Sequence, residues 1–279
     1  MSEIRNIILI GRTGNGKSAL ANVIGNIDKF KESDLGVSET HIHFEEIEVG
    51  GINYRIIDTI GLCDTSMSEQ EVIDIIVDVV YGVIDINQIL FVTSNRFTEE
   101  EIDAYDLLSV IFDENISKYT TIVRTRFSSF RKPELCNEDK KALIKENSKL
   151  AEVIISCNKI IHVDNPSIID IEDENEMAMK KRTRERSRTI LLTHLYTCRE
   201  NFKPGNPGNL YERIEYHRTE KERLQRELNE MKEKVDEWEK KFGELSQQVE
   251  EVKREMESLE QRHEQEKNEM RRRINEARR

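Results

Sequence analysis

The sequence lacks the features of disulfide-rich, zinc-binding and membrane-spanning proteins. Its four cysteines lie far apart and form no C-x-x-C pair, so neither a disulfide framework nor a zinc site is expected. No apolar run approaches the length that spans a bilayer, and no signal pattern precedes the first apolar segment. We therefore expect a soluble, cytoplasmic protein without a transmembrane segment, which reaches a membrane only through partners.

The chain also lacks an excess of basic residues. Its 43 Lys and Arg against 55 Asp and Glu give a formal net charge of −12 at pH 7. Surfaces that bind nucleic acid or anionic lipid carry clustered positive charge. The composition therefore argues against either as the main partner.

One strong motif stands near the N-terminus. Residues 11–18 read G-R-T-G-N-G-K-S and fit the Walker A pattern G-x-x-x-x-G-K-S. In such a loop the backbone N–H groups close around the β-phosphate, Lys17 reaches the β/γ oxygens, and the Ser18 hydroxyl takes a Mg²⁺ coordination position. The flanking strand and helix patterns favour this interpretation over a glycine-rich turn that binds nothing. The predicted phosphate-binding residues are Gly11, Arg12, Thr13, Gly14, Asn15, Gly16, Lys17, Ser18 and Ala19.

A second motif indicates an acid linked to Mg²⁺. Residues 58–61 read D-T-I-G, close an apolar strand, and match the D-x-x-G loop of GTPases. We expect Asp58 to hold the Mg²⁺ shell through water and the N–H of Gly61 to meet the γ-phosphate. Between the two motifs, Ser38 and Thr40 are alternative candidates for a second hydroxyl on Mg²⁺, and either is equally compatible with an exposed loop.

Up to about residue 200, short β-branched runs alternate with helical segments, the pattern of an α/β fold with a mainly parallel sheet. After the first strand we expect strands at 43–49, 54–57, 88–92, 120–124 and 159–163, and helices that include one from about 173 to 198. A hairpin at Gly50-Gly51 joins the first two of these, with 54–57 antiparallel at one side of the sheet. Thr98-x-x-Glu101 is a capping box that opens a helix. Residues 1–202 are predicted to form a three-layer P-loop GTPase domain.

The remainder of the chain has a different pattern. Residues 203–209, K-P-G-N-P-G-N, predict a linker. Residues 210–279 contain no proline, one glycine and an unbroken 3-4 apolar repeat from Leu224 to Leu259. This repeat predicts a long coiled-coil helix, since a lone charged helix needs no such seam.

The guanine-reading motif N-K-x-D is absent, and a Walker A loop alone leaves ATP and GTP open. R-T-R-F stands at 124–127 in its place, and D-N-P stands at 164–166, where a later base-contacting loop is expected. Taken together, these motifs resemble one family. The residues that carry the resemblance are the P-loop followed by S-A-L-A-N-V-I-G at 18–25, the loop at 58–61, and the box F-V-T-S-N-R-F-T-E-E-E at 91–101. It is that of the immunity-associated GTPases (GIMAP or avirulence-induced-gene type), relatives of septins and of chloroplast outer-envelope import GTPases. The resemblance covers residues 4–200.

The resemblance implies a different way of reading guanine. Thr125 and Arg126 would replace N-K-x-D, with the guanidinium of Arg126 stacked on the base. Asp164 or Asn165 would accept from the N1–H and N2–H₂ edge, which favours GTP over ATP. The alternatives are that Arg126 caps a loop and that Asp164 begins the turn before Pro166.

The resemblance also implies that two nucleotide domains meet face to face across GTP. Arg96 of the box is then the candidate arginine supplied in trans, and Arg12 is a second candidate. Leu62 follows the D-x-x-G motif and lacks the amide that orients water in many small GTPases, so outside help is needed. The predicted catalytic residues are Arg96 and Lys17.

The sequence therefore predicts a protein that binds GTP and GDP with Mg²⁺. We expect it to hydrolyse GTP slowly, stimulated by homodimerisation through the nucleotide domain and the coiled coil, which also offers a surface to protein partners. A non-hydrolysing scaffold or filament subunit is the main alternative, and an ATPase of another P-loop class is the third.

Overall fold

A computed structural model describes residues 4–32, 42–59, 85–94, 97–112, 114–146, 148–169, 171–203 and 210–277. By its internal contacts the chain divides into two units, residues 1–215 and residues 216–279. Residues 204–209 of the predicted linker lie outside the described residues, so the boundaries 1–202, 203–209 and 210–279 stay a prediction.

The first unit is built on a six-stranded sheet with the order β2-β3-β1-β4-β5-β6. β2 is antiparallel to β3, and every other neighbouring pair is parallel. The expected mainly parallel sheet is thus confirmed. The strands are β1 Ile4–Ile10, β2 Ile42–Val49, β3 Ile52–Thr59, β4 Gln88–Ser94, β5 Thr120–Thr125 and β6 Lys159–His162.

The direction expected for residues 54–57 is wrong. They belong to β3, which runs parallel to β1, and the antiparallel strand is β2 at the edge of the sheet. Gly50 and Gly51 both have positive φ, 61° and 78°, and so form the tight turn that reverses the chain between the two strands. Because β3 follows the direction of β1, Asp58 reaches the same edge of the sheet as the P-loop.

Helices cover both faces of this sheet. In β1, Ile8 and Ile10 pack into a core on one face, and Ile7 and Leu9 pack into a core on the other. A strand buried on both faces reads as a continuous apolar run, as β1 does. The helices that the structure describes before residue 204 are α1 Lys17–Gly25, α2 Glu99–Phe112, α3 Pro133–Glu146, α4 Ser148–Ser156 and α5 Glu174–Thr197, with a 3₁₀ helix over Glu114–Tyr119.

Two helix starts follow the local rules of the sequence. The Thr98 hydroxyl accepts from the N–H of Glu101 (3.3 Å) while a Glu101 carboxylate oxygen accepts from the N–H of Thr98 (3.1 Å), which confirms the capping box. The carboxylate of Asp173 accepts from the N–H groups of Asn175 and Glu176 and caps α5.

The last helix, α6, spans Leu210–Ala277, and most of it forms the second unit. Its 68 residues extend for about 100 Å at 1.5 Å per residue. The apolar repeat positions are exposed in the single chain, from 44% at Leu228 to 73% at Phe242. A long helix is therefore present, while the coiled coil stays a prediction. None of the described helices is long and apolar enough to cross a membrane.

Candidate functional site

The predicted site residues that the structure describes lie at the edge of the sheet where the parallel strands end. The P-loop follows β1, Asp58 lies at the end of β3, Thr125 ends β5, and Asp164 follows β6. Since the carboxyl ends of parallel strands share one edge, motifs far apart in sequence come together there.

The P-loop passes very close to the backbone of β4. A Cβ added to Gly11 would lie 2.1 Å from the carbonyl oxygen of Val92, so only glycine fits at this position. Gly14 and Gly16 have φ of 85° and 84°, in the left-handed region that glycine adopts most readily. The loop ends at the N-terminus of α1, where free N–H groups and the helix dipole favour an anion.

Lys17 and Ser18 are the loop residues whose side chains are predicted to bind phosphate and Mg²⁺. The buried ammonium of Lys17 donates to the carbonyl oxygens of Gly11 (3.0 Å) and Arg12 (3.2 Å) and thus lies over the loop itself. The hydroxyl of Ser18 donates to Oδ2 of Asp58 at 2.7 Å. The two residues predicted to share one Mg²⁺ shell are therefore neighbours, although 40 positions separate them in the sequence.

Asp58 fits the role of a magnesium-linked acid. Its Oδ1 is buried without a hydrogen-bond partner among the described residues. Burial raises the pKa of its carboxyl, while the Lys17 ammonium and the Ser18 hydroxyl act in the opposite direction. A hydroxyl beside an incompletely paired carboxylate is the all-oxygen set that Mg²⁺ prefers, so these residues fit the ion.

On the base side, Thr125 and Arg126 both hold the P-loop. The Thr125 hydroxyl, 5% exposed as a residue, bonds to the carbonyl oxygens of Asn15 (2.7 Å) and Thr93 (3.2 Å). Arg126 has a φ of 55°, uncommon for a residue with a side chain, and its guanidinium donates to the carbonyl oxygen of Gly14 at 2.9 Å. The contact of either residue with a base stays a prediction.

Asp164 and Asn165 differ in how they are held. The backbone N–H of Asp164 donates to the Ser187 hydroxyl (3.1 Å), and that hydroxyl donates to the carbonyl oxygen of Asp164 (2.8 Å). The side-chain amide of Asn165 is buried at both Oδ1 and Nδ2, and neither atom has a partner among the described residues. Buried amides without partners are rare and point to a missing ligand or water.

The comparisons with known proteins agree with this arrangement. Residues 5–174, more than half of the chain, match the model of the AIG1 family. The chain belongs to the AIG1 family. The resemblance seen in the sequence is thereby confirmed.

Two immune-associated nucleotide-binding proteins of Arabidopsis thaliana are among the relatives. Protein 3 is 32% identical over 127 residues, covering 44% of this chain and 38% of that protein. Protein 13 is 27% identical over 234 residues, covering 82% of this chain and 66% of that protein. The chain thus spans less than two thirds of the length of either.

Among solved structures, Toc33 from Arabidopsis thaliana has the same fold. A dimerization-deficient mutant of it aligns with a TM-score of 0.54 at 16% identity, over 72% of this chain and 88% of that one. The complex of Toc33 with GDP and Mg²⁺ aligns with a TM-score of 0.50 at 18% identity, over 72% of this chain and 86% of that one.

Several predicted residues of this AIG1-family chain lie outside the described residues. They are Ser38, Thr40, Gly61, Leu62 and Arg96. Within the loop, Arg12 and Thr13 are exposed, whereas Gly11 and Asn15 are buried. The assignments of all these residues stay predictions.

Sequence reasoning missed one group behind the base-side loop. Arg124 donates to both carboxylate oxygens of Asp139 (3.0 and 3.1 Å), and His162 contacts one of them at 2.8 Å. Burial alone would raise the pKa of Asp139, but these two partners hold it below its ordinary value. The group joins the ends of β5 and β6, where the N–H of Phe127 also donates to the carbonyl oxygen of Val163. The unusual apolar-strand position of Arg124 was its only signal in the sequence.

Proposed function

We propose that this protein is a Mg²⁺-dependent guanine-nucleotide switch that binds GTP and GDP and hydrolyses GTP slowly, stimulated by homodimerisation. The contact between Ser18 and Asp58 beside the Lys17 ammonium carries this proposal. A glycine-rich turn that binds no ligand does not explain why a lysine, a hydroxyl and a partly unpaired carboxylate lie together at one helix N-terminus.

The phosphate end of the site needs little rearrangement to bind a triphosphate. The backbone N–H groups at the start of α1 would meet the β-phosphate, and Lys17 would leave two loop carbonyls for the β/γ oxygens. Ser18 directly and Asp58 through water would hold Mg²⁺, with Ser38 or Thr40 as a further ligand. The ion would neutralise charge that develops on the phosphate oxygens.

The base end favours guanine. The buried amide of Asn165 has an acceptor and a donor without partners among the described residues, and Asp164 beside it supplies a carboxylate. Guanine offers the N1–H and N2–H₂ donors to such acceptors, whereas adenine has no equivalent pair. Arg126, held on the carbonyl oxygen of Gly14 next to the P-loop, is placed to stack on the same base.

Hydrolysis is the step that needs a second molecule. Leu62 offers no hydrogen bond to water, so we assign the missing charge to Arg96 of a partner chain, with Arg12 as the alternative. Toc33 has been solved with GDP and Mg²⁺, and dimerization is important for the GTPase activity of the chloroplast translocon components atToc33 and psToc159. Those statements concern those proteins and support the proposal here.

A second candidate is a scaffold or filament subunit that uses GTP without turnover. The exposed apolar seam of α6 favours it, because such a seam exists to pack against another helix. In both candidates α6 is a coiled coil that joins two copies or a protein partner, and we place the protein in the cytoplasm.

Calorimetric titration with GTP, GDP and ATP, each with and without Mg²⁺, tests the proposal. We expect Mg²⁺-dependent binding of GTP and GDP, weak binding of ATP, and a dimer with GTP on size exclusion. Turnover that rises with protein concentration would favour the switch, and a GTP-bound assembly with no turnover at any concentration would favour the scaffold. Equal affinity for ATP and GTP would overturn the guanine assignment.

A further inference from the structure

Asn15 connects the P-loop to two other elements. It is 6% exposed, and its side-chain Nδ2 donates to the carbonyl oxygen of Val92 (3.0 Å) and to Glu101 (2.6 Å). Its Oδ1 accepts from the hydroxyl of Ser94 at 2.9 Å. The side chain of one loop residue is thus fully engaged with β4 and with the start of α2.

Glu101 divides its two carboxylate oxygens between separate tasks. Oε2 accepts from the N–H of Thr98 (3.1 Å) and the hydroxyl of Thr93 (3.3 Å), which caps α2. Oε1 accepts from Asn15. The helix cap needs only Oε2, so the contact of Oε1 with the P-loop is a second function of Glu101. The residue is 2% exposed.

The hydrogen bond between Glu101 and Asn15 contributes more to stability than the same bond would on an exposed surface. It is short, it is charge-assisted, and both partners are buried, so breaking it leaves polar groups unpaired in the interior. Among the described residues, the three donors to Glu101 are all uncharged, so its negative charge is stabilised there by hydrogen bonds and by the N-terminus of α2. A shift of Asn15 would move Gly14 and Gly16, whose N–H groups must face phosphate.

We propose that Glu101 is a positioning residue for the phosphate-binding loop, acting through Asn15. It fixes the loop for triphosphate and ties it to the box at 91–101, which also contains Arg96. The inference rests on the proposed function, since the loop must bind nucleotide for its position to matter. It assigns to the box a role in binding that is separate from any arginine supplied in trans.

A double-mutant cycle on the full chain tests this. We expect Glu101→Ala and Asn15→Ala each to weaken GTP binding about tenfold, and the double variant to bind no more weakly than either single one. Thr98→Ala is the matched control, because it removes the hydroxyl of the cap and leaves the bond from Asn15 intact. It should lower the melting temperature but keep GTP affinity within twofold. Wild-type affinity in Glu101→Ala, together with a lowered melting temperature, would make Glu101 a cap only.

A polarity exchange keeps the test informative if Glu101→Ala does not fold. Asn15→Asp places two carboxylates together, whereas Asn15→Asp with Glu101→Gln restores one donor and one acceptor at the same net charge. We expect the variant with both substitutions to bind GTP at least fivefold more tightly than the variant with Asn15→Asp alone. Equal or weaker binding would overturn the inference.

The failure of the proposed function would look different. The wild-type chain would then bind no guanine nucleotide at all. The side-chain amide resonance of Asn15, followed by NMR in nucleotide-free protein, should still shift in Glu101→Gln but not in Thr98→Ala. An unmoved resonance in Glu101→Gln would refute the contact itself.

Discussion

Replacing Asn165 by alanine should weaken GTP binding without lowering the stability of the nucleotide-free protein. Both polar atoms of its side chain are buried without partners among the described residues. A buried group in that state costs about 1–3 kcal/mol relative to a paired one. Removing the amide relieves this cost, and the small cavity offsets part of the gain. The free energy of unfolding of nucleotide-free protein should therefore stay constant or rise by about 1 kcal/mol.

The loss appears when GTP is bound. If the amide pairs with the base edge, its removal should cost about 1–3 kcal/mol of binding free energy, by analogy with base-edge contacts in nucleic-acid recognition. That corresponds to about 5- to 150-fold weaker GTP binding, since each tenfold change is about 1.4 kcal/mol. Binding of ATP should change little, and adding Asp164→Ala should erase the remaining preference for GTP.

Thermal unfolding without nucleotide and calorimetric titration with GTP and ATP measure the two effects. Asn158→Ala is a suitable control, because this exposed asparagine has its amide satisfied by the carbonyl oxygen of Lys118 at 2.8 Å. We expect the control to lose stability and to keep the GTP-to-ATP ratio. An unchanged ratio in Asn165→Ala would refute base recognition by this residue, whatever its effect on stability.

Four further predictions address the phosphate end, the tail, the arginine supplied in trans and pH. Lys17→Ala should abolish measurable triphosphate binding in calorimetry, and affinity within twofold of wild type would contradict the P-loop assignment. A chain truncated after Glu215, which keeps the buried Ile214, should bind GTP normally but lose specific activity at low protein concentration, because a coiled coil formed by two tails would raise the local concentration of the two domains to roughly mM. In the full chain, Arg96→Ala should remove the concentration-dependent part of the activity. Burial lowers the pKa of His194 to about 4 from 6.5, so its contribution to stability is present above pH 6.5 and is lost as the pH falls towards 4. Between pH 7 and pH 4.5, the free energy of unfolding measured by chemical denaturation should fall by about 1–3 kcal/mol less in His194→Gln than in the wild type. An equal fall in both proteins would refute the role of His194 in this pH dependence.

Local rules predicted the features that depend on neighbouring residues. The capping box at Thr98 and Glu101 and the turn at Gly50-Gly51 both follow from backbone groups that need a partner or a positive φ. The pattern of residues 54–57 predicted a strand correctly, but the antiparallel direction expected for it was wrong, because alternation and β-branching are the same in both directions. The direction depends on pairing with β1, a contact between segments about 50 residues apart.

The capping box also shows what a local rule hides. Glu101 is fully explained by the sequence as the third residue of a helix, so nothing in the pattern indicates a second partner. That partner, Asn15, lies 86 residues away. Only a fold that brings the ends of β1 and β4 together makes the contact.

Thr125 makes the related point for the base side. A resemblance identifies the position that replaces a known motif, but it does not indicate that the side chain there bonds to the P-loop backbone at Asn15. Arg126 follows directly in a left-handed conformation and bonds to Gly14. Because the same stretch of the P-loop is held by Thr125, Arg126 and Glu101, its position depends on the base-side loop and the box together. In the proposed function, recognition of the base and of the phosphates would thus be joined through two adjacent residues, Gly14 and Asn15.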